Sequence, residues 1–146
     1  MSSSSYATET SVAALLEASL RAIERDVPEA HSQICARVSG LPIEVSIDAE
    51  RFALRVIGGR LRCAPPAHGP AVRLAARKTA IDELIRAERS LGQAVIDGSV
   101  AVIAPLAALS DLYEAFALYL HGAARCGETP SLLRGFRALC AAAEAS

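Results

Sequence analysis

Three histidines, four cysteines and a handful of acidic and tyrosine side chains could do chemistry in this 146-residue chain. His31, His68 and His121 fall on a helix, in a loop and at a helix end, and neither H-x-x-x-H nor H-E-x-x-H spacing links them. They are expected at surface or helix-end positions, and no metal site is expected from them. Cys35, Cys63, Cys126 and Cys140 show no C-x-x-C spacing and no nearby histidine that would complete a zinc pattern. They are expected to be free thiols, and Cys63, on an inward strand position, a packed one rather than a nucleophile. Asp82-Glu83 opens a helix, where paired carboxylates offset the helix dipole. Gly58-Gly59 is a turn, not a phosphate cradle, and the chain holds neither G-x-S-x-G nor a phosphate-loop pattern.

The most distinctive polar feature is a set of arginines. Arg51, Arg55, Arg60, Arg62, Arg73 and Arg77 recur at alternate positions, partly offset by Glu44 and Asp48. On strands they share one side of a sheet. That is either a solvated face or one that meets an anionic partner, such as membrane headgroups, an acyl-CoA phosphate or an acidic protein surface. Nucleic acid is not expected, because no aromatics interleave with these arginines.

The elements that position these groups are marked by periodicity. Residues 1–10 are a polar, Ser-rich tail, expected to be disordered. From Ser11, Val12, Leu15, Leu16, Leu20, Ile23 and Val27 follow helical spacing. Pro28 opens a second helix carrying Ile34, Cys35 and Val38, and Gly40 stops it. The period then becomes two. Ile43/Val45/Ile47, Phe52/Leu54/Val56, Leu61/Cys63 and Val72/Leu74/Ala76 alternate with polar or small residues and read as four antiparallel strands. Gly58-Gly59 makes a hairpin, and residues 65–70 a loop. Thr79 to Asp82 resembles a capping box; Ser90 caps a short helix ending at Asp97-Gly98. Ser99 to Ala104 is a fifth strand, apolar on both faces and so expected to be interior or covered. Pro105 opens a helix to about His121, whose apolar face is wider than one sheet contact requires. Gly122 and Gly127 bracket a loop, and Thr129-Pro130 begins a last helix. The order ααββββααβαα predicts an α+β two-layer domain over 11–146: a mostly antiparallel five-stranded sheet with helices on one face.

Composition narrows the function classes. Hydrophobic residues make up 52% but aromatics only 4%, without Trp, so the apolar surface is carried on small side chains. Such a chain folds. A net charge of -1 excludes a globally basic nucleic-acid binder. No apolar stretch reaches the ~20 residues of a membrane span. The N-terminus lacks the pattern of a signal peptide, so a cytoplasmic location is expected. Every basic residue but Lys78 is Arg, and Ala is abundant, which associates with a GC-rich bacterial genome.

Residues Ile43 to about Leu120 resemble the sterol carrier protein type 2-like family. The hairpin Ile43-Glu-Val-Ser-Ile-Asp48 with Phe52-Ala-Leu-Arg-Val56 carries the resemblance. So do the junction Val72-Arg-Leu-Ala-Ala-Arg-Lys-Thr79 into Ala80-Ile-Asp-Glu-Leu-Ile85, and Leu91-Gly-Gln-Ala-Val-Ile-Asp-Gly98 with Ser-Val-Ala-Val102. It implies an apolar tunnel between sheet and helices that holds acyl chains, sterols or other lipids. The expectation is therefore a lipid- or apolar-ligand-binding protein rather than an enzyme, without cofactor. The expected lining is Phe52, Leu54, Leu84, Ile85, Val95, Val102, Leu109, Leu112 and Phe116, with Arg73 and Arg77 as candidates to hold a carboxylate or phosphate at the mouth. Two alternatives stand beside it. One is a small cyclase- or isomerase-type enzyme using Tyr113, Tyr119, Asp82 or His121. The other is a homodimerisation or docking module using the wide Pro105–His121 helix and the last helix.

Overall fold

The computed structural model describes residues 11–66 and 72–145. In chain order the elements are α1 (Val12–Asp26), α2 (Pro28–Val38), β1 (Ile43–Ile47), β2 (Glu50–Ile57), β3 (Arg60–Ala64), β4 (Val72–Ala76), α3 (Lys78–Ile85), α4 (Leu91–Ile96), β5 (Val100–Ile103), α5 (Leu106–Ala124) and α6 (Thr129–Ala145). The expected order is thus observed. The Ser-rich stretch 1–10 and His68, with most of its loop, lie outside the described residues.

Local chemistry sets most boundaries. The Ser11 hydroxyl accepts the Ala14 N–H at 3.0 Å and starts α1. Ser90 and Gln93 cap α4 reciprocally, each side chain bonding the other's backbone N–H. Gly58 and Gly59 both take positive φ, as a two-residue hairpin turn between β2 and β3 requires. Helix α3, in contrast, begins one residue before Thr79, with Arg77 at its N-cap and no side-chain cap. The capping box expected at Thr79 is not formed; instead the Asp48 carboxylate accepts the Lys78 N–H at 3.5 Å and ion-pairs with its ammonium.

The five strands form one sheet in the order β3-β2-β1-β4-β5. Three of the four pairings are antiparallel, but β4 runs parallel to β1, with Val45 opposite Leu74. This corrects the reading of four antiparallel strands. After β3 the chain crosses to the far side of β1 rather than turning back on itself, and alternation tells which face a side chain takes, not which neighbour its strand takes. A second correction concerns β5. It is an edge strand rather than an interior one, and Ile103 is 65% exposed.

In register, Ile43, Val45 and Ile47 share one face with Phe52, Leu54, Leu61, Cys63, Val72 and Leu74. That face joins residues of α1, α2, α3, α5 and α6 in one apolar cluster. Helices α1 and α2 lie over β2 and β3, α5 packs along α2 and α1, and α6 packs on α1 and α3. Helix α5 continues to Ala124, through the position where a loop was expected at Gly122. Gly122 is buried there, and a Cβ on it would stand 3.0 Å from Ile23 Cγ2 and 3.4 Å from Ala30 Cβ. The glycine serves close approach of helices, not a turn.

Two polar contacts tie the helices to the sheet. Both Glu50 carboxylate oxygens accept N–H groups at the start of α1, from Val12 at 3.0 Å and Ala13 at 2.8 Å. On β3 the outward N–H of Leu61 donates to His31 Nε2 at 3.3 Å, and that of Cys63 donates to Glu17 Oε1 at 2.9 Å. His31 is therefore buried and serves the sheet, against the expectation of a surface position.

These contacts predict three outcomes. Gly122→Val overpacks the α5–α1 crossing and lowers the unfolding free energy by about 1–3 kcal/mol, read from the urea midpoint. Glu50→Ala leaves two N–H groups of α1 without their carboxylate and costs about 1–2 kcal/mol in the same assay. In hydrogen exchange, the Leu61 amide is protected although β3 is an edge strand, and His31→Ala removes that protection.

Candidate functional site

The apolar face of the sheet carries both buried and half-buried side chains. On β1 and β2, Ile43, Val45, Ile47 and Phe52 are buried, while Leu54 and Val56 of β2 and Cys63 of β3 are half-buried. On the other half, Val72 of β4 and Val100 of β5 are buried, and Leu74 of β4 and its register partner Val102 of β5 are half-buried. Leu74 shares the main cluster with Ile81 and Ile85 of α3 and Leu112 of α5, all half-buried. Over β4 and β5, half-buried aliphatic side chains thus stand beside the buried Val72 and Val100.

The expected lining residues divide accordingly. Phe52, Leu54, Ile85 and Leu112 belong to the one cluster. Leu84, Val102 and Phe116 are half-buried. Val95 and Leu109 are exposed, at 42% and 38%. The two expected anion-holding arginines are set apart from this space. Arg73 pairs in register with Glu44 and Ile103, on the face opposite the cluster. Arg77 is exposed at the N-cap of α3 and has no ion pair among the described residues.

That opposite face is open and holds its own constellation. Glu44 is buried at its centre, with its carboxylate ion-paired to Arg51 on one side and to Arg73, at 3.7 Å, on the other. Together with Ser46, Ala75, Ala101 and Ile103 they line a shallow depression of about 250 Å³. Both arginines stay 62% exposed, and Arg55 beside them has no ion pair among the described residues. Arg60 and Arg62 leave the group: their guanidinium groups ion-pair with Glu24 and Glu17 of α1. The available positive charge is therefore Arg51, Arg55, Arg73 and Arg77 against one carboxylate, an arrangement that suits phosphate or carboxylate groups on a partner. The burial of Glu44 was not anticipated; its signal in the sequence is a single acid at an outward position between arginine-bearing strands.

The remaining reactive groups are committed elsewhere. Tyr119 Oη and Ser19 Oγ share a 2.8 Å hydrogen bond, and burial pushes the Tyr119 hydroxyl up against the lowering effect of that bond. Asp82 ion-pairs with Arg86 and Arg137, while Tyr113 and His121 are exposed. No hydrogen bond among the described residues links any two of these four. Burial and the nearby Glu17 push the Cys63 thiol up to about 12, which suits packing and not attack. Cys35, Cys63 and Cys126 are free thiols, and the described residues hold no cluster of three or more His, Cys, Asp or Glu fit for a metal. No described helix is long and apolar enough to cross a membrane.

No protein-family profile matches the chain, and no curated protein matches it. Solved structures do. A UbiJ-SCP2 ubiquinone synthesis protein superposes with a TM-score of 0.57 at 15% identity, covering 75% of this chain and 92% of that one. A conserved hypothetical protein of Thermus thermophilus, a candidate sterol carrier protein, superposes with a TM-score of 0.54 at 14% identity, covering 79% of this chain and 87% of that one. The sterol carrier protein domain 2 of Helicoverpa armigera gives 0.52 at 12% identity, with 73% and 83% covered. The five-stranded sheet with one helix-covered apolar face is the sterol carrier protein 2-like fold.

Proposed function

We propose that this protein binds the apolar tail of a lipid-like molecule between its sheet and its helices, over β4 and β5. The observation that carries the reading is a group of aliphatic side chains between the sheet and helices α3 and α5, Leu74, Val102, Ile85 and Leu112, all left half-buried. Half-buried aliphatic side chains facing one another across two layers gain most from an apolar guest. The fold supports it, since solved sterol carrier proteins share it. At ~0.8 kcal/mol per buried CH₂, a ten-carbon tail supplies about 8 kcal/mol before ordering costs. Affinity of that kind needs no catalytic group.

The likeness to a ubiquinone synthesis protein extends the candidate ligands from acyl chains to isoprenoid tails of the ubiquinone type. Expressed protein, extracted with organic solvent and weighed by native mass spectrometry, is expected to carry such a molecule. A fluorescent acyl probe should bind, and a ubiquinone analogue or fatty acid should displace it. Val102→Trp fills the space over β5 and is expected to weaken the probe by about tenfold, with the melting curve unchanged. Absence of both a copurifying apolar molecule and probe binding would overturn the reading.

A further inference from the structure

The surface at the β5 edge combines two features that the interior does not use. Ile103, 65% exposed, sits on the open face directly across from Arg73. Three residues on, past Ala104-Pro105, Leu106 is 85% exposed at the start of α5. Leu109 and Tyr113 continue an exposed apolar stripe at helical spacing along the same helix. Apolar side chains exposed in succession, Ile103, Leu106, Leu109 and Tyr113, make the kind of patch that marks an interaction site. Beside them spreads the open face, with Arg51, Arg55, Arg73 and Arg77 against Glu44 alone.

We infer that this edge is where the protein docks on an anionic lipid surface. Ile103 and Leu106 enter the headgroup region, and the arginines of the open face meet lipid phosphates. Charge complementarity selects the occupant. A second copy of this chain would bring the same arginines against themselves, whereas an anionic bilayer offers both an apolar layer and negative charge. Arginine suits phosphate particularly, through its planar fork of donors. The inference rests on the lipid-binding reading above for its purpose only, because a carrier of apolar tails must meet a source of them.

Flotation with two kinds of vesicle tests it: phosphatidylcholine alone, and phosphatidylcholine with about 30 mol% phosphatidylglycerol. The full chain should float with the anionic vesicles, and the bound fraction should fall as salt rises. Ile103→Glu with Leu106→Glu alters only exposed positions and should abolish flotation, while acyl-probe affinity in solution stays within about twofold. Arg55→Gln and Arg77→Gln, which break no ion pair, should each weaken partitioning by about fivefold. Equal partitioning to both vesicle types, or unchanged flotation of the glutamate variant, would overturn the docking surface. So would a concentration-dependent dimer, by light scattering, that the same glutamates dissociate. Probe binding without flotation leaves the proposed function standing; flotation without probe binding leaves the docking surface standing.

Discussion

Strand β1 is the constraint on which the rest depends. It lies third of five and is the only strand hydrogen-bonded to both halves of the sheet, β2 on one side and β4 on the other. Its alternation sends Ile43, Val45 and Ile47 into the helix layer and Glu44 and Ser46 to the open face. A slip of one residue would drive Glu44 into the apolar cluster, where an unpaired carboxylate is prohibitive. The strand's five residues therefore fix both faces at once: the apolar one that gathers the helices, and the polar one that gathers the arginines.

Glu44 shows how the open face tolerates its own crowding. Four arginines on one surface repel one another, and a buried acid among them is uncomfortable alone. Set between Arg51 and Arg73, each relieves the other's cost, and the guanidinium groups remain largely in water. The arrangement keeps net positive charge available without a desolvated pair of the kind whose burial outweighs its attraction.

Much of this was legible in the residues. The period-two runs from Ile43 to Ala76 located four strands and their inward faces, and Ser11, Pro28, Gly58-Gly59 and Ser90 marked boundaries that the structure keeps. What was not legible depends on partners distant in sequence. The parallel pairing of β4 with β1 needs a crossover, which no local pattern encodes. Gly122 reads as a stop until Ile23, about a hundred residues away, occupies the space its side chain would need. His31 reads as a surface histidine until the Leu61 N–H is found on it. At the candidate site, the inward direction of Phe52, Leu54 and Leu74 was legible from alternation. The exposure of Val95 and Leu109 was not, because a helix apolar on most sides gives no indication of which side is covered.

The two acceptors on β3, His31 and Glu17, carry a consequence for how copies of the molecule meet. A sheet margin with free donors invites an incoming strand from another chain, and that is the usual route to fibrous association. Here the Leu61 and Cys63 donors are already taken by side chains of α2 and α1. An incoming strand would first have to prise both helices from the sheet. The β3 margin is closed to growth from the moment the helices dock, so the order of assembly, helices onto β3 before chains onto one another, guards the folded state.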